Sequence, residues 1–199
     1  MESDTAEPVA RTTSGPETRA RILAAASTLF YAQGIRATSA DRVIAEVGIT
    51  KVTFYRHFRT KSDLVVAYLE AQGSLERDWM ERIRCQGDPV GSLRALAADI
   101  GAVSCSPGFR GCAFINAAAE FSDPDDAVRA TVATHREWML GEFADVAAEA
   151  GVPDAETVAR QLMILRDGAM VSGYLGEPSA VADSLGAAFA SIITGAKGS

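Results

Sequence analysis

Along almost the whole chain, apolar residues recur at spacings of three and four, the period of helices with one buried face. No stretch alternates as a half-buried strand would, and no segment repeats. Pro16 to Gln33 predicts a first helix: Pro16 suits a first turn, Ile22, Ala25, Ala26, Leu29 and Phe30 form its apolar stripe, and Gly34 stops it. Thr38 or Ser39 caps a second helix whose inner face is Val43, Ile44 and Val47, closed by Gly48. Thr50 caps a third, Lys51 to His57, of about two turns. A fourth begins at Thr60 or Ser62, with Asp63 facing the positive end of the helix dipole, and runs through Leu64, Tyr68, Ala71, Leu75 and Trp79 to about Arg84. Five more are expected over residues 88–104, 111–121, 125–150, 155–175 and 179–194, each bounded by Gly, Pro or Asp. The chain therefore reads as all-α, with about nine helices.

Two short helices joined at a glycine turn make a helix-turn-helix, whose second helix can enter the DNA major groove. An ordinary helical hairpin has the same outline. The second helix argues against that reading, because Lys51, Thr53, Tyr55, Arg56 and His57 leave only Val52, Phe54 and Phe58 for packing. The first three helices are expected to share a core of Phe30, Val43, Ile44, Val47, Phe54 and Phe58.

A net charge of −7 looks unsuited to DNA until it is divided along the chain. Residues 11–61 carry nine Lys or Arg against Glu17, Asp41 and Glu46, a net +6, whereas residues 62–199 are net −10 and the first ten −3. A basic head on an acidic trunk directs phosphate contact to one end. The polar N-terminus does not resemble a signal peptide, and no uninterrupted apolar run is long enough to span a bilayer, so a cytoplasmic protein without a membrane partner is expected. Cys85, Cys105 and Cys112 are an odd number without paired spacing, which fits neither a disulfide framework nor a metal site; no metal and no cofactor are expected.

The segment ITKVTFYRHFRTKSDL resembles the reading segment of TetR-family transcriptional regulators through Thr50, Thr53, Tyr55, His57, Phe58, Lys61, Asp63 and Leu64. It departs from the family at Ile49, at Val52, where a small residue is usual, and at Thr60. ETRARILAAASTLFYAQGIRATS is similar to the family's first helix and the start of its second, so the close likeness covers about a quarter of the chain. Residues 1–15, polar and acidic, read as a flexible arm, and the resemblance implies 16–62 as the helix-turn-helix domain and 63–199 as a helical ligand-binding and dimerisation body. For DNA, Arg36, Thr38, Lys51, Tyr55 and Lys61 are expected on phosphates and Val52, Thr53 and Arg56 at base edges, with Ser39, Thr50 and His57 in the same set.

The last two helices mix Ala169, Gly173, Gly186, Ala187, Ala188 and Ala190 with large apolar residues, which suits either a close helix–helix interface or an internal core. A two-turn reading helix touches few base pairs, so useful affinity calls for two heads on half-sites. The resemblance places a homodimer interface in these two helices. The body also sets polar residues among bulky apolar ones. Phe114, Asn116, Glu120, His135, Trp138 and Arg166 are the expected contacts of a small-molecule effector. The reading is a regulator, most simply a repressor released from a palindromic operator by that effector. The alternatives are a redox regulator switched through Cys105 and Cys112, and an enzyme using Cys112 or Glu120 with His135. The enzyme is weakly supported, since one of only two histidines lies in the reading helix and no nucleophile elbow or phosphate-cradling loop is present.

Overall fold

The computed structural model describes residues 14–84 and 87–197; the expected N-terminal arm up to residue 13 and Cys85 lie outside that set. Among the described residues there are nine helices and no strand: α1 Gly15–Gln33, α2 Ala40–Val47, α3 Lys51–His57, α4 Lys61–Ile83, α5 Pro89–Ser104, α6 Ala113–Glu120, α7 Ala127–Glu149, α8 Ala155–Leu175 and α9 Pro178–Lys197.

Local chemistry sets most of these boundaries. Ser39 and Thr50 take the N-cap positions of α2 and α3, their hydroxyls accepting from the backbone N–H of Arg42 and Thr53. Gly48 closes α2 in the left-handed region, at φ 71° and ψ 40°, where a β-carbon would be strained. Thr60 and Asp63 form a reciprocal capping box at the start of α4, each side chain accepting from the other's backbone N–H at 3.0 Å. α6 is shorter than expected at both ends, and α9 runs three residues further than expected.

Two apolar clusters hold the helices together. The first joins Ile22, Phe30, Val43, Phe54, Phe58, Leu64 and Tyr68 of α1 to α4 with Phe114, Ala117, Val128 and Val132 of α6 and α7. The second joins Leu96, Ile100, Met139, Phe143, Leu162, Leu185, Phe189 and Ile193 of α5 and α7 to α9. Burial of each such large side chain contributes roughly 1.5–3 kcal/mol. α4 serves both clusters, through Leu64 to Leu69 at its start and Met80 near its end.

Its expected stripe does not stay inside. Leu75 is 61% exposed and Trp79 half-buried, because the inward face passes through Gly73 instead. By length and composition α9 would suit a bilayer, although Asp183 interrupts its apolar run; here Val181, Leu185, Phe189 and Ile193 are buried in the second cluster.

Candidate nucleic-acid interface and effector cavity

α3 is pinned from beneath by one residue. Phe54 is buried and meets Tyr55 edge-on at 5.2 Å, while Phe58, just past the helix, packs under the Arg19 guanidinium. That anchoring turns Lys51, Val52, Tyr55 and Arg56 to solvent; Val52 is 72% exposed. Thr53 and His57 are half-buried at the margins of this face, and the Thr53 hydroxyl lies 2.9 Å from that of Thr50. Lys51 is paired with Asp41 at 2.9 Å, and that hydrogen bond raises its pKa above the ordinary lysine value.

One expected contact is misplaced. Thr38 is fully buried, its hydroxyl donating to the Gly34 carbonyl at 2.9 Å and the Leu29 carbonyl at 3.4 Å. Its side chain closes the end of α1 and has no surface to offer a phosphate. Ser39, the actual cap, is exposed.

Behind this head, α6 meets the α1–α2 turn. The Glu120 carboxylate accepts from the backbone N–H of Ile35 at 2.9 Å and of Arg36 at 2.6 Å, as a carboxylate accepts at a helix start. Gly34, at φ 95°, allows the approach: a β-carbon there would stand 3.3 Å from Glu120 Oε1. Asn116 donates to the Arg110 carbonyl at 2.8 Å, and Tyr31 donates to the Gly111 carbonyl while accepting from Arg110 N–H. Arg36 is exposed beside this seam, and Lys61 is half-buried near it, its pKa lowered chiefly by burial. Glu120 thus joins the body to the head, while Asn116 fastens α6 to the segment before it within the body; both line a cavity of about 210 Å³ with Tyr31, Tyr68 and Arg110.

Of the other four expected contacts, Phe114, His135 and Arg166 are buried and Trp138 is half-buried. Phe114 and His135 stack face to face, 3.5 Å between centroids and 2° apart, with Trp138 tilted against His135 at 5.3 Å. His135 Nε2 is 3.1 Å from Glu76 Oε2, an ion-pair distance without the alignment of a hydrogen bond, and Nδ1 has no hydrogen-bond partner among the described residues. Arg166, 3% exposed, pairs with the same Glu76 oxygen at 3.3 Å and with Asp167 at 3.2 Å. Burial opposes its charge, but Cys112, Glu76 and Asp167 outweigh that and raise its pKa. Arg136 completes the network on Asp167 at 2.7 Å.

Of these four, only Arg166 lines the cavity of about 230 Å³ between α4, α5 and α8. Its other walls are Gln72, Leu75, Glu76, Trp79, Asp99, Ile100, Val103 and Met170. Gln72, Leu75, Glu76 and Trp79 follow a helical period, but with half polar residues the row does not read as a face. Trp79 donates its indole N–H to Asp99 at 2.6 Å. Cys105 is exposed and Cys112 buried, both as free thiols.

The outer faces of α8 and α9 form a third feature. Ile164, Val171 and Leu175 are exposed on α8, beside Ala180, Ser184, Ala187 and Ser191 exposed on α9. A helix-turn-helix head with a basic outer face, set on an acidic helical body with an apolar cavity, defines a DNA-binding transcriptional regulator.

Residues 22–68 match the family model described as bacterial regulatory proteins, tetR family. Over 92% of this chain and 97% of the other, the structure resembles a TetR-family transcriptional regulator from Streptomyces coelicolor, at 38% identity and a TM-score of 0.86. The HTH-type transcriptional regulators AcrR of Shigella flexneri and TtgR of Pseudomonas putida are 36% and 32% identical, over 40% and 42% of this chain. Those matches span 38% and 41% of the two relatives' own lengths. The chain belongs to the TetR family of transcriptional regulators.

Proposed function

We propose that the protein is a cytoplasmic repressor that binds a palindromic operator as a homodimer and leaves it when a small molecule occupies the α4–α5–α8 cavity. The observation that carries the DNA half of this reading is α3 itself, which holds to the core by Phe54 and presents Lys51, Val52, Tyr55 and Arg56 outward. Lys51, Tyr55, Lys61 and Arg36 supply the phosphate grip, and Val52, Thr53 and Arg56 the contact with base edges. Ser39, Thr50 and His57 flank them. The exposed rows of α8 and α9 support a partner copy there, which would set two heads on two half-sites. α4 supports the coupling, since one end lies in the head's core and its middle lines the cavity. An effector acts only through different affinity for two head spacings. We assign no enzymatic activity: of the two groups set with His135 in that alternative, Glu120 is held by the α1–α2 turn and Cys112 is a buried thiol.

Selection of bound sites from random DNA tests this directly. We expect an inverted repeat. On that site Arg56→Ala should cost about 1–3 kcal/mol and relax preference at one base pair per half-site, whereas Lys61→Ala should weaken all sequences alike and lower the salt slope by about one. Recovery of no preferred sequence, or a Lys61 effect confined to sequence preference, would overturn these assignments.

A further inference from the structure

The cavity that Arg166 closes from within carries more information than its position. Its walls are mainly apolar, from Leu75, Trp79, Ile100, Val103 and Met170, with three charged groups among them, Glu76, Asp99 and Arg166. The charge of Arg166 is already matched, since Glu76 and Asp167 lie 3.3 and 3.2 Å from its guanidinium. An anionic ligand would have to displace one of these carboxylates and then face Glu76 and Asp99 together. Asp99 is different. Its one donor is the neutral indole N–H of Trp79, and no basic side chain among the described residues pairs with it. The unmatched charge on the wall is therefore negative, in a recess where apolar surroundings strengthen a Coulombic contact. The Trp79 ring beside it is a surface that attracts cations. Arg166 takes part as well: Cys112 acts on its guanidinium beside the two carboxylates, and among the described residues no oxygen acceptor meets its buried Nε–H, so an oxygen acceptor is the group that would add to its contacts.

We propose that the effector is an organic cation with an apolar body and an oxygen acceptor, its positive group set against Asp99 and its oxygen toward Arg166. This rests on the cavity being the effector site. The group would meet Asp99 on the α5 wall, and the apolar body would lie against Leu75, Trp79 and Met170 of α4 and α8. An oxygen acceptor would complete the hydrogen bonding of the Arg166 guanidinium without disturbing its two carboxylate partners. Leu75 and Val103, both largely exposed, form the mouth.

Three probes separate the charge from the shape: benzoylcholine, its uncharged carbon analogue 3,3-dimethylbutyl benzoate, and the anion hippurate. Calorimetric titration of the full chain should give benzoylcholine at least tenfold tighter than the uncharged analogue, with hippurate weakest. Asp99→Asn keeps an acceptor for the Trp79 indole and should cost benzoylcholine about tenfold, the order of one cation–carboxylate contact, while leaving the uncharged analogue unchanged. Val103→Trp, at the exposed mouth, should block all three. Equal binding of the charged and uncharged probes, preference for hippurate, or indifference of benzoylcholine to Asp99→Asn would overturn the cation assignment and leave the cavity as the effector site. Binding unaffected by Val103→Trp, or no binding of any probe, would remove both.

Discussion

Tyr68 shows how a single side chain ties the head to the rest. It is buried in the first cluster and meets Phe30 edge-on at 5.7 Å. Burial pushes its phenol far above the ordinary tyrosine value, with smaller contributions in the same direction from Tyr31 and Cys112. The folded state therefore holds a proton that the unfolded chain releases near pH 10, so this contribution to stability is complete below about pH 10 and falls as pH rises beyond it. In urea unfolding at pH 9 and pH 11, Tyr68→Phe should lose less stability between the two than the unaltered protein; an equal loss would contradict the assignment. At this scale the caps were legible, because Ser39, Thr50 and Thr60 act on amides within three residues. Thr38 was not, since a hydroxyl beside a helix start can serve the helix before it as readily as the one after. Glu120 was not either: its partners lie about 85 residues away in sequence, beyond any local pattern.

At the scale of helices, α5 and α9 lie unusually close at Gly101. A β-carbon there would stand 2.5 Å from that of Ala182 and 3.0 Å from the Ala182 backbone. No positive φ is involved, so glycine is required here for space alone. Gly101→Ala should destabilise the body by about 1–3 kcal/mol through overpacking, read as a lower urea midpoint with an unchanged slope. A midpoint equal to or above that of the parent would show that the two helices separate freely. Helix positions were largely readable from periodicity and from Gly, Pro and Asp at the breaks. Which faces meet was less so. The row through Leu75 and Trp79 looks like core on spacing alone, yet it leaves the core to line a cavity, because Gly73 takes the inward position instead. The network of His135, Glu76 and Arg166 draws on α4, α7 and α8 together, so the sequence alone points to His135 and Arg166 but not to Glu76.

For the whole molecule, the division of charge and the architecture agree: a basic head stands on an acidic trunk, joined by α4 and by the Glu120 link to the α1–α2 turn. In the proposed dimer, the apolar row of α8 is what the pairing of two trunks rests on. Ile164, 70% exposed there, contributes nothing to the protomer's own core. Ile164→Glu therefore leaves the fold intact while placing a charge where the two copies are proposed to meet. The most direct test is sedimentation of the protein with a labelled operator at low salt, with and without this substitution. The account predicts two protomers per operator for the unaltered chain, and for Ile164→Glu a monomer whose operator affinity is at least a hundredfold lower. A monomer that holds the operator as tightly as the unaltered protein would contradict it.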